Sequence, residues 1–223
     1  MSQDLLPGVV IQPKGEHKAT IIWLHGLGDS GDGFAPIAPE LKLPDELGVK
    51  FIFPHAPIRP VTVNNGMEMR AWYDIKSMDM ESRADIEGVI DSSQRVEQLI
   101  RHEIAAGIKS NKIMLIGFSQ GGVIALHLGT RMTEPLAGIA ALSTYMCAPQ
   151  TLQQEKSKAN QETPVFFAHG QQDQVVPSAL GNAAYQTMKQ NGYKVEWKEY
   201  MMQHNVCLPE IVDISAFIQA QLS

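Results

Sequence analysis

The segment Gly117–Gly121, Gly-Phe-Ser-Gln-Gly, has the residue types of a turn that presents a nucleophilic serine. Such a serine sits on a tight, strained strand-to-helix turn, where side chains two positions to either side would clash. An apolar run precedes this segment and another follows it, as that turn requires. The pattern predicts Ser119 as a nucleophile. The alternative, a glycine-rich turn in which Ser119 only caps a helix, does not explain the second glycine at Gly122.

Three histidines follow Ser119 and are candidates for its general base. In folds with such a turn, the chain order is nucleophile, acid, histidine. His127 lies eight residues into the predicted helix, about 12 Å from Ser119. His169 ends a strand-like run and is expected to shape the turn near Asp173. His204 follows the last strand-like run, at the edge of a parallel sheet where functional groups gather. The order and spacing predict His204 as the base.

Two aspartates, Asp173 and Asp213, follow Ser119 and are candidates for the acid. Asp213 lies within the last helical pattern and is interpreted as a solvated residue. Asp173 lies in the loop after a buried strand-like run, where it could hold the tautomer of His204 and stabilise its imidazolium. The alternative for Asp173 is a turn-forming role. The remaining acidic candidates occupy surface-like or mid-strand positions: Glu134, Glu155, Glu162, Glu196, Glu199 and Glu210.

A second glycine-rich turn, His25–Gly33, directly follows a strand-like run. A serine hydrolase needs one oxyanion donor from the residue after the nucleophile, here Gln120, and one from an early strand-end loop. Glycines on both sides of Leu27 let the backbone approach a substrate. We therefore predict that the backbone N–H groups of Leu27 and Gln120 form an oxyanion hole.

The same turn does not have the residue pattern of a phosphate, dinucleotide or metal site. It has no lysine, and its two aspartates would repel a phosphate; a dinucleotide fingerprint that opens a helix is also missing. His25 and His55 show no recognised metal spacing with the nearby aspartates. We therefore expect neither a metal nor a cofactor.

Strand-like and helix-like patterns alternate along the chain. The strand-like runs are mostly continuously apolar, as in parallel strands buried on both faces: Val9–Ile11, Thr20–His25, Val49–Phe53, Ile113–Gly117, Gly138–Ser143, Pro164–Ala168 and Val195–Tyr200. The helical patterns are Ala84–Ala106, with Ser82 and Asp85 as a capping box, and Gln120–Arg131, Ser178–Asn191 and Leu208–Gln221. This order predicts one doubly wound α/β domain over residues 1–223, with a mostly parallel sheet and helices on both faces.

The segment Pro54–Arg83 interrupts this alternation, and ordered loops of that length are usually functional. Methionine is adaptable and suits a surface for flexible chains. The segment either contacts substrate or covers the core, and the sequence favours neither. Its methionines and aromatic residues are Met67, Met69, Met78, Met80, Trp72 and Tyr73.

The composition limits the classes of function. The 223 residues include 18 Lys plus Arg and 24 Asp plus Glu, a net charge of −6 without a basic cluster, which gives no reason to expect nucleic-acid binding. Cys147 and Cys207 cannot form a disulfide framework, which favours a reducing compartment; Cys207 is interpreted as a small core residue. A secretory signal and a membrane-spanning run are not recognisable. We therefore expect a soluble, cytoplasmic protein.

Five ordered motifs resemble those of the phospholipase/carboxylesterase group of α/β-hydrolases, which includes acyl-protein thioesterases and small bacterial carboxylesterases. The motifs are HGLGDSG at 25–31, AWYDI at 71–75, GFSQGG at 117–122, HGQQDQVVP at 169–177 and HNVCLPEI at 204–211. The resemblance implies an α/β-hydrolase fold, and the chain length leaves little room for a separate cap domain. It also implies the catalytic triad Ser119, Asp173 and His204, the oxyanion donors Leu27 and Gln120, Trp72 at the acyl site, and pairing as a homodimer.

One departure from the group is visible beside the base. The group tends to have Gly-His-Ser there, whereas this chain has Gln203 and Asn205 on either side of His204. Larger neighbours could narrow the pocket or change the mobility of the loop.

The expected activity is that of a serine carboxylesterase that hydrolyses short- to medium-chain acyl esters or thioesters without a cofactor, through an acyl-enzyme on Ser119. Because the base must be neutral, activity should rise with pH through roughly 6–8. The alternatives are acyl-protein thioesterase or lysophospholipase as the main activity, with an acylated protein or a lysophospholipid as substrate. A non-catalytic binding protein of the same fold is a further alternative.

Overall fold

A computed structural model describes residues 5–77 and 85–223. Its strands in these ranges are β1 (Gly8–Ile11), β2 (Ala19–Leu24), β3 (Val49–Pro54), β4 (Ile58–Val61), β5 (Met67–Arg70), β6 (Ile113–Phe118), β7 (Gly138–Leu142), β8 (Val165–Gly170) and β9 (Val195–Tyr200). Its helices are α1 (Gly31–Phe34), α2 (Ile37–Glu40), α3 (Ile86–Ala105), α4 (Gln120–Arg131), α5 (Leu152–Glu155), α6 (Ser178–Gln190) and α7 (Leu208–Leu222).

Seven strands form the central sheet in the order β1-β3-β2-β6-β7-β8-β9. All neighbouring pairs are parallel except β1 and β3, which are antiparallel. Strands β2, β6, β7 and β8 are buried along their whole length, because helices cover both faces of the sheet. Strands β4 and β5 form a separate antiparallel hairpin.

Alternating side chains of the strands fill two apolar clusters, one on each face of the sheet. On β2, for example, Ile22 and Leu24 belong to one cluster, and Ile21 and Trp23 belong to the other. The first cluster includes apolar residues of α3, α4 and α6, and the second includes those of α2 and α7. The predicted mostly parallel sheet with helices on both faces is therefore confirmed.

The structure confirms the seven predicted strands and the four predicted helices, with small shifts of their ends. The hairpin β4–β5, within Pro54–Arg83, was not predicted. Helix α3 begins at Ile86, two residues later than expected, with Asp85 at its N-cap position. The expected capping partner Ser82 lies outside the described residues, as do Met78 and Met80.

None of the helices in residues 5–77 and 85–223 combines the length and the apolar character that crossing a membrane requires.

Candidate active site

Ser119 occupies a strained turn between β6 and α4. Its backbone has φ 52° and ψ −117°, outside the regions that non-glycine residues normally adopt. The turn is so tight that a Cβ on Gly117 would lie 2.2 Å from the carbonyl oxygen of Gly121. A Cβ on Gly121 would lie 2.3 Å from the carbonyl oxygen of Leu24. The two glycines are thus required by contact, as the sequence pattern predicts.

Hydrogen bonds join the three residues that the sequence singles out as nucleophile, base and acid. The Oγ of Ser119 lies 2.9 Å from Nε2 of His204, and Nδ1 of His204 lies 2.6 Å from Oδ2 of Asp173. The other oxygen of Asp173 accepts the backbone N–H groups of Val175 and Val176. Because the carboxylate can only accept, Nδ1 carries the imidazole proton, and Nε2 is left to accept the serine proton.

The loop after β9 places His204 beside the loop after β8. The backbone N–H of Gln171 donates to the carbonyl of Tyr200, and that of Gln172 donates to the carbonyl of Met202. These bonds join the two loops just beyond the last paired residues of the strands, Gly170 and Tyr200. As a result, the loop that contains Asp173 and the loop that contains His204 lie side by side at the end of the sheet.

The imidazole of His204 also packs on an aromatic ring. Its centroid lies 4.8 Å from the centroid of the Phe118 ring, at a tilt of 43°. Gln203 and Asn205, the residues that depart from the related group, are both exposed and do not line the cavity described below. Their side chains therefore do not narrow it.

A cavity of about 310 Å³ opens over Ser119. Leu27 and Gln120 both line it. Within the part of the chain that the structure describes, the backbone N–H groups of these two residues have no hydrogen-bond acceptor. Two unpaired amides beside a serine hydroxyl can stabilise a developing oxyanion. The lining residues are Gly26, Leu27, Asp29, Tyr73, Ile75, Phe118, Ser119, Gln120, Tyr145, Val175, Val176 and His204.

Trp72, which the resemblance places at the acyl site, does not line this cavity. It is fully buried, and its indole N–H donates to the carbonyl of His25. Its neighbours Tyr73 and Ile75 reach the cavity instead. The wall residues Tyr145, Val175 and Val176 were not identified from the sequence, although Val175 and Val176 lie within a motif that was.

The methionines of the segment Pro54–Arg83 that the structure describes do not line the cavity either. Met67 is exposed on β5, and Met69 packs against the larger apolar cluster. The core-covering interpretation therefore holds for Met69. Cys207 is partly exposed at the N-cap of α7, so its interpretation as a core residue is wrong.

Burial lowers the pKa values of three other histidines near the sheet. Burial lowers the pKa of His127 to about 4. Burial also lowers the pKa values of His25 and His169. His169 lies 3.6 Å from Asp173 but donates its Nε2 proton to the carbonyl of Val176. It therefore shapes the turn around Asp173, as expected.

Two acidic residues on α7 differ in their surroundings. Asp213 accepts hydrogen bonds from the ammonium of Lys198 and the hydroxyl of Tyr200 on β9. Glu210, expected at a surface-like position, is fully buried instead, because it turns back to accept the N–H of Cys207 at the start of the helix. Burial raises the pKa of Glu210 to about 8.

Among the residues that the structure describes, no group of three or more histidine, cysteine, aspartate or glutamate side chains is placed to hold a metal ion.

A parallel sheet covered by helices on both faces, with a serine on a strained turn between a central strand and its helix, defines an α/β-hydrolase fold. Within that class, the chain belongs to the phospholipase/carboxylesterase family, whose model matches residues 7–222. It is therefore a hydrolase of this family.

Curated relatives cover the chain almost completely. Acyl-protein thioesterase 1 of Gibberella zeae is 38% identical and covers 100% of this chain and 98% of its own length. Acyl-protein thioesterase 1 of Yarrowia lipolytica is 39% identical, with 97% of both chains covered.

Solved structures agree with the fold. SOBER1 of Arabidopsis thaliana matches with a TM-score of 0.87 and 31% identity, over 92% of this chain and 100% of that one. Acyl-protein thioesterase 2 of Zea mays matches with a TM-score of 0.87 and 31% identity, over 96% of this chain and 98% of that one.

Proposed function

We propose that the protein is a serine carboxylesterase that hydrolyses short- to medium-chain acyl esters or thioesters through an acyl-enzyme on Ser119. The observation that carries the proposal is the continuous chain of hydrogen bonds from Ser119 through His204 to Asp173, beside two backbone amides that have no acceptor among the described residues. A hydroxyl, a neutral imidazole and a carboxylate in this order form the proton-transfer path of a serine hydrolase.

The reaction begins with attack of the Ser119 oxygen on the acyl carbonyl carbon, while Nε2 of His204 takes the hydroxyl proton. The N–H groups of Leu27 and Gln120 stabilise the oxyanion of the tetrahedral intermediate. When the carbon–oxygen or carbon–sulfur bond breaks, His204 returns the proton to the leaving alcohol or thiol. Water, activated by the same imidazole, then attacks the acyl-enzyme and releases the acid. Asp173 holds the imidazole in the required tautomer throughout.

The size of the cavity supports a short to medium acyl chain. Its volume of about 310 Å³ must hold the reacting carbonyl and part of both substituents. Its walls include Ile75, Tyr145 and Val175, so an aliphatic chain can bury its surface against them.

An adjacent groove supports longer acyl chains, and with them acyl-protein thioesterase or lysophospholipase activity. It has a volume of about 520 Å³ and shares Tyr145 with the cavity over Ser119. Apolar side chains from the loop after β7 and from α6 form most of it, among them Met146 and Leu180. The fungal relatives named acyl-protein thioesterase 1 are consistent with this second candidate.

The experiment is a burst assay with p-nitrophenyl acetate, butyrate and octanoate and the corresponding thioesters, on the wild type and on Ser119→Ala. We expect a burst of p-nitrophenol equal to the enzyme concentration in the wild type and none in the variant. Equal hydrolysis by both proteins, or by neither while both are folded, would remove Ser119 from the chemistry.

The chain-length series in the same assay separates the two candidate activities. A maximum of kcat/KM at butyrate supports the short- to medium-chain esterase. Values that still rise at octanoate, with thioesters preferred, support the thioesterase candidate and use of the groove beyond Tyr145.

A further inference from the structure

Trp72 lies between the two loops that supply the oxyanion donors. Its indole N–H donates to the carbonyl oxygen of His25 at 2.9 Å, and its ring lies 5.3 Å from the ring of His25. Its carbonyl accepts the hydroxyl of Ser92 on α3. Every one of these groups is fully buried. The side chain is therefore fixed by hydrogen bonds at a place where it does not touch the cavity.

The segment around Trp72 holds the loop of Leu27 on both sides. Before Leu27, the carbonyl of His25 accepts the indole proton. After Leu27, the N–H of Gly28 donates to the carbonyl of Arg70 at 2.8 Å. The peptide groups that flank the Leu27 amide are thus both bound to residues 70–72, and Leu27 itself lines the cavity.

The other donor residue is held by the same segment. The side-chain oxygen of Gln120 accepts the backbone N–H of Trp72 at 2.7 Å, and its side-chain nitrogen donates to the carbonyl of Tyr73 at 2.7 Å. Gln120 is almost fully buried, so both bonds are shielded from water. Gln120 also lines the cavity, while its side chain binds the backbone of residues 72 and 73.

We propose that the segment Arg70–Tyr73 is a brace for the oxyanion hole, in which Trp72 is a positioning residue that sets the Leu27 amide relative to the Gln120 amide. The inference rests on the proposed function, because it assigns the two amides to an oxyanion. It also relates two of the sequence motifs. The AWYDI motif provides the backbone groups of Trp72 and Tyr73, and the GFSQGG motif provides the Gln120 side chain that binds them.

The brace acts on the transition state more than on the bound substrate. An oxyanion forms only after attack, and its donors act fully only at about 2.7–3.1 Å from it, so that a shift of a few tenths of an ångström weakens them. A displaced donor should therefore lower kcat and leave KM nearly unchanged. A residue that merely lined the acyl site would instead change KM and the chain-length preference.

The first test is Trp72→Phe, which keeps a buried ring and removes the N–H donor. We expect kcat for p-nitrophenyl butyrate to fall about 10- to 100-fold, with KM within about threefold of the wild type. The inhibition constant of a trifluoromethyl ketone, which forms a tetrahedral adduct with an oxyanion, should rise by a similar factor.

Trp23→Phe is the matched control. Trp23 is also a fully buried tryptophan, and its indole nitrogen has no hydrogen-bond partner among the described residues. The control removes the same atoms from the core, and we expect its kcat to stay within about twofold of the wild type. A loss in Trp23→Phe as large as in Trp72→Phe would overturn the proposal.

The second test is Gln120→Met, which keeps the backbone amide and the size of the side chain but removes both bonds to the brace. We again expect a fall in kcat with little change in KM. If either brace variant raised KM alone and kept kcat, Trp72 and Gln120 would shape the substrate wall and not the oxyanion hole, and the proposal would be wrong.

A readout that does not need turnover separates this proposal from the proposed function. The Gly28 amide is bonded to Arg70, and neither substitution removes that bond directly. Hydrogen exchange of this amide, followed by NMR, should become at least tenfold faster in Trp72→Phe and in Gln120→Met, but not in Trp23→Phe. Unchanged exchange in both brace variants would overturn the brace. If the wild type showed no Ser119-dependent hydrolysis, the proposed function would fail, and the Gly28 exchange rates would still decide whether the brace exists.

Discussion

A hydroxyl, a histidine and a carboxylate meet at two places in the described part of the chain, at opposite edges of the sheet. At the carboxyl edge they are Ser119, His204 and Asp173. At the amino edge, where β2 begins, a similar set contains Thr20, His17 and Glu103. The residue types are nearly the same, so the comparison isolates what else a catalytic site requires.

In the set at the amino edge, the hydrogen bonds do not let the histidine accept the hydroxyl proton. The hydroxyl of Thr20 donates to Glu103 at 2.8 Å, so its one proton is already held by the carboxylate. His17 lies 2.9 Å from the same hydroxyl, and the ammonium of Lys50 lies 2.7 Å from the other carboxylate oxygen. The histidine is at the end of this chain of bonds and not in its middle.

The set at the carboxyl edge has the histidine in the middle. His204 can accept from Ser119 while it donates to Asp173, so a proton can leave the hydroxyl. The serine stands on a strained turn that faces a cavity, whereas Thr20 is fully buried within a strand. The order of the hydrogen bonds and access to a cavity distinguish the two sets; residue types alone do not.

The largest effect on kcat should come from replacing the carboxylate of the carboxyl-edge set by an amide. In Asp173→Asn, the amide no longer fixes the His204 tautomer, and we expect kcat to fall about 10⁴-fold. Steady-state hydrolysis of p-nitrophenyl butyrate measures the loss.

The matched change at the amino edge is Glu103→Gln. It removes a carboxylate that is just as buried, and we expect kcat to stay within about twofold of the wild type. A similar loss of kcat in both variants would mean that the assay reports general damage to the fold, and the contrast between the two edges would not stand.

The residues of the carboxyl-edge set could be predicted because local geometry demands them. The glycines on either side of Ser119 are required because a Cβ on either of them would lie 2.2–2.3 Å from a backbone carbonyl oxygen. Both glycines fall within the five residues centred on Ser119, so this requirement is visible in the local sequence. Asp173 and His204 each follow an apolar strand, so the edge at which they meet follows from parallel pairing.

The surroundings of Trp72 and the cavity walls could not be predicted in the same way. Trp72 lies in an irregular segment, where no periodicity tells a buried side chain from one that faces a cavity. Its partner, the carbonyl of His25, is distant in sequence. Tyr145 reaches the cavity only through the path of the loop after β7. The hairpin β4–β5 was missed because its strands are short, largely exposed and contain Pro60.

Buried Glu210 sharpens the comparison, because no cation among the described residues pairs with it as Lys50 pairs with Glu103. One of its oxygens has no hydrogen-bond partner in the described residues. Burial, together with the nearby Asp213, raises its pKa from 4.5 to about 8, although the N–H of Cys207 opposes that shift. Glu210 is therefore protonated in the folded protein at neutral pH and ionised in the unfolded chain.

The sign of the resulting pH dependence follows from proton binding. Between about pH 4.5 and 8 the unfolded state binds fewer protons at Glu210 than the folded state, so this group lowers the free energy of unfolding as pH rises. We expect Glu210→Gln to remove that decline and to be more stable than the wild type by on the order of 3–5 kcal/mol at pH 8.

Urea unfolding at pH 5, 6.5 and 8 measures this difference. The advantage of Glu210→Gln should grow steadily from pH 5 to pH 8. A constant difference at all three pH values would show that Glu210 is ionised in the folded protein.

Glu103→Gln should have a smaller effect on stability, in the opposite direction. The substitution leaves the Lys50 ammonium without its charge partner in a mostly buried site. We expect a loss of roughly 2–3 kcal/mol in the free energy of unfolding at pH 7. The same urea titrations check it, and no loss would show that Lys50 reaches water once the carboxylate is gone.

The smallest effect is expected at two threonines that donate buried hydrogen bonds at the two edges. Thr144 donates to the carbonyl oxygen of Ser119 at 2.6 Å, and the N–H of Ser119 donates to the carbonyl of Leu142. The end of β7 thus holds the strained backbone of Ser119, the proposed nucleophile, on both sides. Since that carbonyl also accepts the N–H of Gly122, the loss of the hydroxyl weakens the support without removing it.

We therefore expect Thr144→Val to lower kcat about 3- to 10-fold with KM unchanged, because the serine oxygen shifts relative to His204. Thr144→Ser should restore kcat, since it returns the hydroxyl. Thr20→Val, which removes the equivalent donor at the amino edge, should lower the free energy of unfolding by about 1–2 kcal/mol and leave kcat unchanged. If Thr144→Val changed only stability, as Thr20→Val should, the strain at Ser119 would be maintained by the turn itself, and the sheet edge would contribute nothing to holding the nucleophile.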